Sequence, residues 1–208
     1  MDNSTEQIVL VVDDDESMRV GLTYLFQSMN LAVRVFGSTD ELLESKFPDL
    51  VSCLVLDVRL PGANGLVFQD RLAEAGINIP IVFITGHGDI PMSVKAMKSG
   101  AVDFLPKPFR EQDMLDAVGR ALAQDRKRRD AEKSTLRLRA LYDALTRRER
   151  EIMALVISGL MNKQIAQQLQ ITEITVKIHR GHVMRKMEAR SLADLVRMAE
   201  TLGITRAN

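Results

Sequence analysis

Five short apolar runs, IVLVV, LAVRVF, VSCLVL, IPIVFIT and AVDFL, punctuate the first half of the chain. They lack the in–out alternation of a sheet with one wet face. Strands of that kind are buried on both sides, which requires helices on each face of a mostly parallel sheet. The intervening segments supply them: Met18, Leu22, Leu25, Phe26 and Met29 fall on one helical face, as do Ile90, Val94 and Met97. The reading is α/β, a five-stranded doubly wound parallel sheet alternating with five helices. In such sheets ligands bind outside the carboxyl ends of the strands, near the point where strand order reverses.

Two of those strand ends are acidic. IVLVVDDDES puts Asp13, Asp14 and Asp15 directly after the first strand, and Asp57 closes the third. Clustered carboxylates repel one another unless a cation or a hydrogen-bond donor is held among them, so a bound metal ion is expected. Asp15 is expected to face away and cap the next helix.

The chain has 208 residues, 46% hydrophobic, enough for one or two domains with real cores. Its single cysteine, Cys53, lies in the third apolar run and reads as strand packing; no disulfide framework is possible, which suits a reducing compartment. No apolar run approaches the ~20 residues of a membrane span. The opening MDNSTEQ lacks a signal peptide's layout, so a cytoplasmic protein without a membrane partner is expected. A net charge of zero conceals an asymmetry. Residues 1–123 carry 10 Lys and Arg against 18 Asp and Glu, and residues 124–208 carry 18 against 10. An acidic half joined to a basic half implies different partners for each.

Residues 124–145, QDRKRRDAEKSTLRLRALYDAL, contain no Gly or Pro and few apolar residues before Leu136. They read as a solvent-exposed helical linker continuing the last helix of the first half, with a disordered tether as the alternative. Beyond Leu145 no strand signal appears. Helices are expected at about 147–158, 162–168, 173–187 and 192–201, the last capped by Ser191.

With DVRLPGANG after the third strand, IVFITGHGD after the fourth and FLPKPF after the fifth, residues 8–123 resemble the flavodoxin-like receiver domain of two-component response regulators. The segment from LTRREREIM to VMRKM resembles the four-helix helix-turn-helix module of the NarL/LuxR class. Together they resemble the FixJ branch, and HGDIPM and GLMNKQIA resemble StyR-like regulators of aromatic-hydrocarbon degradation. The implied organisation is a receiver at residues 1–123, a helical linker at 124–141 and an all-α DNA-binding domain at 142–208.

The resemblance implies that Asp57 accepts a phosphoryl group from a sensor histidine kinase. Asp13, Asp14 and Asp57, with the backbone carbonyl of Arg59, would hold Mg2+, which neutralises the carboxylates and the transferring phosphoryl oxygens. Lys107 would reach a phosphoryl oxygen as a flexible point charge, and Pro108 resembles the family's cis-proline. Thr85 would hydrogen-bond the phosphoryl group, and Phe104 would rotate inward behind it. That carries the signal to the surface of the fourth helix, fifth strand and fifth helix, where phosphorylation favours a homodimer. His87 reads as structural.

For double-stranded promoter DNA, a scaffold helix carrying Ile165, Ala166 and Leu169, a turn at residues 170–172 and a basic helix are the arrangement required. At about 100° per residue, Val176, Val183 and Met187 share a core face, and Ile174, Lys177, Ile178, Gly181 and Arg185 share the opposite one. These five, Ile174, Lys177, Ile178, Gly181 and Arg185, are the residues expected to enter the major groove. Lys163, Arg180, Arg185 and Lys186 are the expected phosphate partners, and Thr172 is an N-cap within reach of phosphate. His179 falls at the border of the core face and reads as packing. RNA polymerase is the further partner implied.

An enzyme is not expected. A haloacid-dehalogenase-type phosphatase needs an acid/base Asp two residues after its nucleophile, and here Val58 and Arg59 follow Asp57. A constitutive pseudo-receiver is opposed by the complete set of Asp14, Asp57, Thr85 and Lys107.

Overall fold

The apolar runs become β1 (Gln7–Val12), β2 (Ala32–Phe36) and β3 (Val51–Asp57), followed after a two-stranded hairpin, β4 (Arg59–Leu60) and β5 (Ala63–Asn64), by β6 (Ile81–Thr85) and β7 (Asp103–Pro106). The computed structural model describes residues 7–86 and 90–204. The five long strands form one parallel sheet in the order β2-β1-β3-β6-β7. Alternate side chains feed two cores. Leu10, Leu54, Leu56 and Phe83 pack with Leu42, Leu66, Phe68, Leu72 and Ala96 on one face. Val9, Val11, Cys53, Val55 and Ile84 pack with Leu22, Phe26, Met114 and Val118 on the other. Both faces are covered, which is why the strands show no polar alternation.

The first face is covered by α2 (Thr39–Glu44), α3 (Gly65–Glu74) and α4 (Ile90–Lys98), and the second by α1 (Glu16–Ser28) and α5 (Glu111–Asp143). Asp15 caps α1 as expected, its side chain accepting from the Ser17 and Met18 N–H groups. Two expected apolar faces need correction. Val94 and Met97 on α4 are exposed, because Ala96 and Met92 carry the contact with the sheet. Met29 is exposed where α1 ends.

Two compact units divide at Arg129 and Asp130, inside α5. The linker is helical as expected, but its exposed stretch begins later than residue 124. Asp125 is fully buried: its Oδ2 accepts from the Ser52 N–H at 2.9 Å and pairs with Arg129 Nε at 2.8 Å, while Oδ1 pairs with an Arg128 nitrogen at 2.6 Å. Ser52 lies on β3 before the pairing with β6 begins at Leu54. A carboxylate therefore satisfies a backbone donor that the ladder leaves over.

Among its described residues the second unit contains helices joined by short turns and no strand. After the end of α5 come α6 (Arg147–Ile157), α7 (Asn162–Leu169), α8 (Glu173–Lys186) and α9 (Leu192–Thr201). Their core contains Ile152, Met153, Val156, Ile165, Val176, Val183, Met187 and Leu195. Side-chain caps start the helices where the sequence offers them: Thr146 on α6, Thr172 on α8 and Ser191 on α9. Gln170 ends α7 with φ 53°, a left-handed residue other than glycine.

Candidate functional site

Chain reversal gathers the chemistry at one edge of the sheet. From β1 the chain turns outward to the edge strand β2 and then crosses back past β1 to β3, so Asp13, just after β1, and Asp57, the last residue of β3, lie at adjacent strand ends at the switch point. Thr85 ends β6, and Lys107 directly follows β7. Asp13 and Thr85 are fully buried, Asp57 nearly so, and Asp14 is exposed.

Lys107 Nζ lies 2.6 Å from both Asp13 Oδ2 and Asp57 Oδ2. The other oxygens are held by backbone: Asp13 Oδ1 accepts from the Asp15 N–H at 2.9 Å, and Asp57 Oδ1 from the Arg59 N–H at 2.8 Å. Burial pushes the Asp13 carboxyl above its ordinary pKa, against the hydrogen bond from Lys107. Burial alone would lower the Lys107 ammonium, but its bonds to Asp13 and Asp57 outweigh that and hold it above its usual value. The Lys107–Pro108 peptide bond is cis, and the Lys107 N–H donates to the Thr85 carbonyl at 2.7 Å.

The donor set fits a hard cation. One carboxylate oxygen each from Asp13, Asp14 and Asp57 can be chosen with all three within 4.8 Å of one another. An all-oxygen, anionic set of this kind suits magnesium rather than a softer metal.

Two further residues shape this site and were not legible beforehand. Arg19 donates to the carbonyls of Asp13 (2.7 Å) and Asp14 (3.0 Å), tying the acidic turn to α1. Gly65 begins α3 so close to β3 that a Cβ there would stand 2.6 Å from the Asp57 carbonyl oxygen. The two glycines of PGANG were the available signal for the second, whereas nothing local marks Arg19. Phe104 is half-buried, its ring 6.4 Å from that of Phe83. His87 lies outside the described residues.

The second unit places α7, a tight turn and α8 in the expected order. Val176, Val183 and Met187 are buried, while Ile174 is 74% and Ile178 53% exposed. Lys163, Thr172, Lys177, Gly181 and Arg185 are also exposed. Two of the basic residues have partners within the protein. Arg180 donates to Asn162 Oδ1 at 3.1 Å, and Lys186 Nζ bonds Glu149 Oε2 at 2.7 Å. Glu149 is buried and completes the capping box of α6. Burial alone would raise its carboxyl, but Lys186 and the Thr146 N–H and hydroxyl hold it down at about 2.

The response regulator receiver domain family matches residues 9–119, and the luxR family of bacterial regulatory proteins matches residues 143–199. The chain is 62% identical to Nodulation protein W of Bradyrhizobium diazoefficiens over 97% of this chain and 89% of that protein. It is 44% identical to Response regulator protein TmoT of Ectopseudomonas mendocina over 96% of this chain and 91% of that one. Among solved structures it is similar to response regulator StyR, at 48% identity and a TM-score of 0.85, covering 94% of this chain and 99% of that chain.

Proposed function

The chain belongs to the response regulators that join a receiver domain to a luxR-type DNA-binding domain, and from that premise we propose a division of labour among its residues. As a two-component transcription regulator it has a phosphorylation event to receive and a DNA-binding event to control. Asp57 is the phosphoryl acceptor. An oxygen of its carboxylate bonds to phosphorus as the phosphorus–nitrogen bond of a phosphohistidine breaks, leaving an acyl phosphate on this chain and a free histidine on the kinase. What supports this most is the position of Asp57 at the end of β3, with Lys107 Nζ at 2.6 Å.

Asp13, Asp14 and Asp57, with the Arg59 carbonyl, would hold magnesium, which would supply charge neutralisation on the transferring phosphoryl oxygens. Lys107 already bridges two carboxylates and turns its ammonium to a phosphoryl oxygen once Asp57 is phosphorylated. The Thr85 hydroxyl donates to another, and Phe104 follows it inward toward Phe83. The surface that responds is α4, β7 and α5, where Val94 and Met97 are exposed and Arg120 pairs with Asp103. A homodimer formed there places two DNA-binding units on one promoter and links two modest binding events.

On DNA, α8 enters the major groove. Lys177 donates to base acceptors, Ile178 meets a thymine methyl, and Gly181 lets the helix approach closely. Thr172, Lys163, Arg180, Arg185 and Lys186 lie within reach of phosphates, although Arg180 and Lys186 must leave or share their internal partners to do so. RNA polymerase is the downstream partner, and the cytoplasm is the site of action.

The test is chemical. Incubation with acetyl phosphate and magnesium, followed by peptide mapping, should locate a single phosphoryl group on Asp57, and Asp57→Asn should take up none. A phosphoryl group mapped to another residue of the wild type contradicts the assignment.

A further inference from the structure

The helical unit holds three side chains, Glu149, His179 and His182, that neither phosphorylation nor DNA reading uses. Glu149 Oε2 accepts from the Thr146 N–H at 2.8 Å and from Lys186 Nζ at 2.7 Å. Its Oε1 instead faces His182 Nδ1 at 3.7 Å. His179, one turn earlier on α8, sets its ring 6.3 Å from that of His182 and nearly perpendicular to it. The His179 Nδ1 is buried and has no hydrogen-bond partner. One ligand atom from each of Glu149, His179 and His182 can be chosen with all three within 4.8 Å of one another.

A buried ring nitrogen without a partner requires an explanation, and a bound ion is among the standard ones. Two imidazoles and one carboxylate oxygen form a nitrogen-rich, borderline donor set, unlike the all-oxygen set of the acidic pocket. It suits zinc and its transition-metal neighbours. We propose that Glu149, His179 and His182 form a three-ligand site for a divalent transition metal of the zinc type, bridging α6 and α8 with a fourth position open to water.

Donors around a tetrahedral zinc ion lie about 3.3 Å apart when the bonds are about 2.0 Å long. The 3.7 Å between Glu149 Oε1 and His182 Nδ1 is within a small side-chain adjustment of that spacing. His182 is 43% exposed and provides a way in for the ion. Lys186 occupies the other carboxylate oxygen, so the ion takes Oε1, and the ammonium charge keeps the affinity moderate. The unit already has a complete apolar core around Ile152, Val176 and Val183, so the ion adds stability to a folded domain rather than creating the fold. The two histidines occupy the flank of α8 between its buried ridge, Val176 and Val183, and its exposed ridge, Lys177 and Gly181. An ion there pins the helix to α6 and leaves the exposed ridge free.

The full-length chain, freed of metal by a chelator and kept in excess magnesium to fill the acidic pocket, is titrated with zinc by calorimetry and with cobalt(II) by visible absorption. The wild type should bind one ion per chain, with a cobalt spectrum showing nitrogen ligation. Asp57→Asn should bind it equally well, which separates this site from the acidic pocket. His182→Gln, at a half-exposed position, should bind at least about tenfold more weakly and lose the zinc-induced rise in melting temperature, while melting like the wild type without metal. Absence of zinc binding by the wild type overturns the proposal without any variant. So does binding that survives His182→Gln unchanged or disappears with Asp57→Asn.

Discussion

At the acidic turn, burial and pairing pull Asp13 in opposite directions, and burial wins. A carboxyl whose pKa is higher in the folded than in the unfolded state favours folding while protonated. That contribution is full below the unfolded pKa and is lost as pH rises through the folded one. Asp13→Asn, which leaves Lys107 its pairing with Asp57, should therefore reduce the loss of stability between acid and neutral pH and raise the melting temperature of the metal-free chain at pH 7. Thermal melts in chelator check this, and a lower melting temperature at pH 7 would contradict it. Gly181 makes the complementary case. A Cβ there meets nothing within 4 Å, so Gly181→Ala should stabilise the free unit by up to about 1 kcal/mol. If the helix sits deep in the groove, the same substitution weakens specific DNA binding. Paired melts and DNA titrations at fixed salt decide, and unchanged binding would refute the close approach.

Among the elements, those legible in the sequence are the ones whose signals are local. Continuous apolar runs marked the five long strands, and Thr146, Thr172 and Ser191 marked the starts of α6, α8 and α9. The pocket was legible because strand order in a doubly wound sheet brings Asp13, Asp57, Thr85 and Lys107 to one edge. What escaped depends on distant partners. Asp125 looked like part of a solvated charge run, yet its partner is a backbone N–H 73 residues away. The inner face of α4 rests on Ala96 and Met92, one small and one flexible, so periodicity drew attention to Val94 and Met97 instead. The end of α7 carries no glycine, because Gln170 adopts the left-handed conformation itself. The Glu149, His179 and His182 cluster exists only once α8 packs on α6. Since Asp125→Ala strips a buried N–H and two arginines of their acceptor, it should destabilise the first unit by about 3 kcal/mol. Denaturant unfolding measures it, and a loss below about 1 kcal/mol would mean that α5 is held by its apolar face alone.

For the molecule as a whole, the charge asymmetry has a physical counterpart in each half. The acidic half contains the Asp13, Asp14 and Asp57 cluster, and the basic excess in 124–208 includes the exposed face of α8. The central claim is that a phosphoryl group on Asp57 controls DNA binding by the other unit. The direct measurement uses a DNA fragment selected in vitro by the phosphorylated chain and titrated at fixed salt with wild type and Asp57→Asn, each with and without acetyl phosphate and magnesium. Light scattering on the same samples reports the mass. The account predicts that phosphodonor raises both affinity and mass for the wild type and changes neither for Asp57→Asn. Equal affinity and equal mass for the wild type with and without phosphodonor, in samples shown to carry the phosphoryl group, would contradict it.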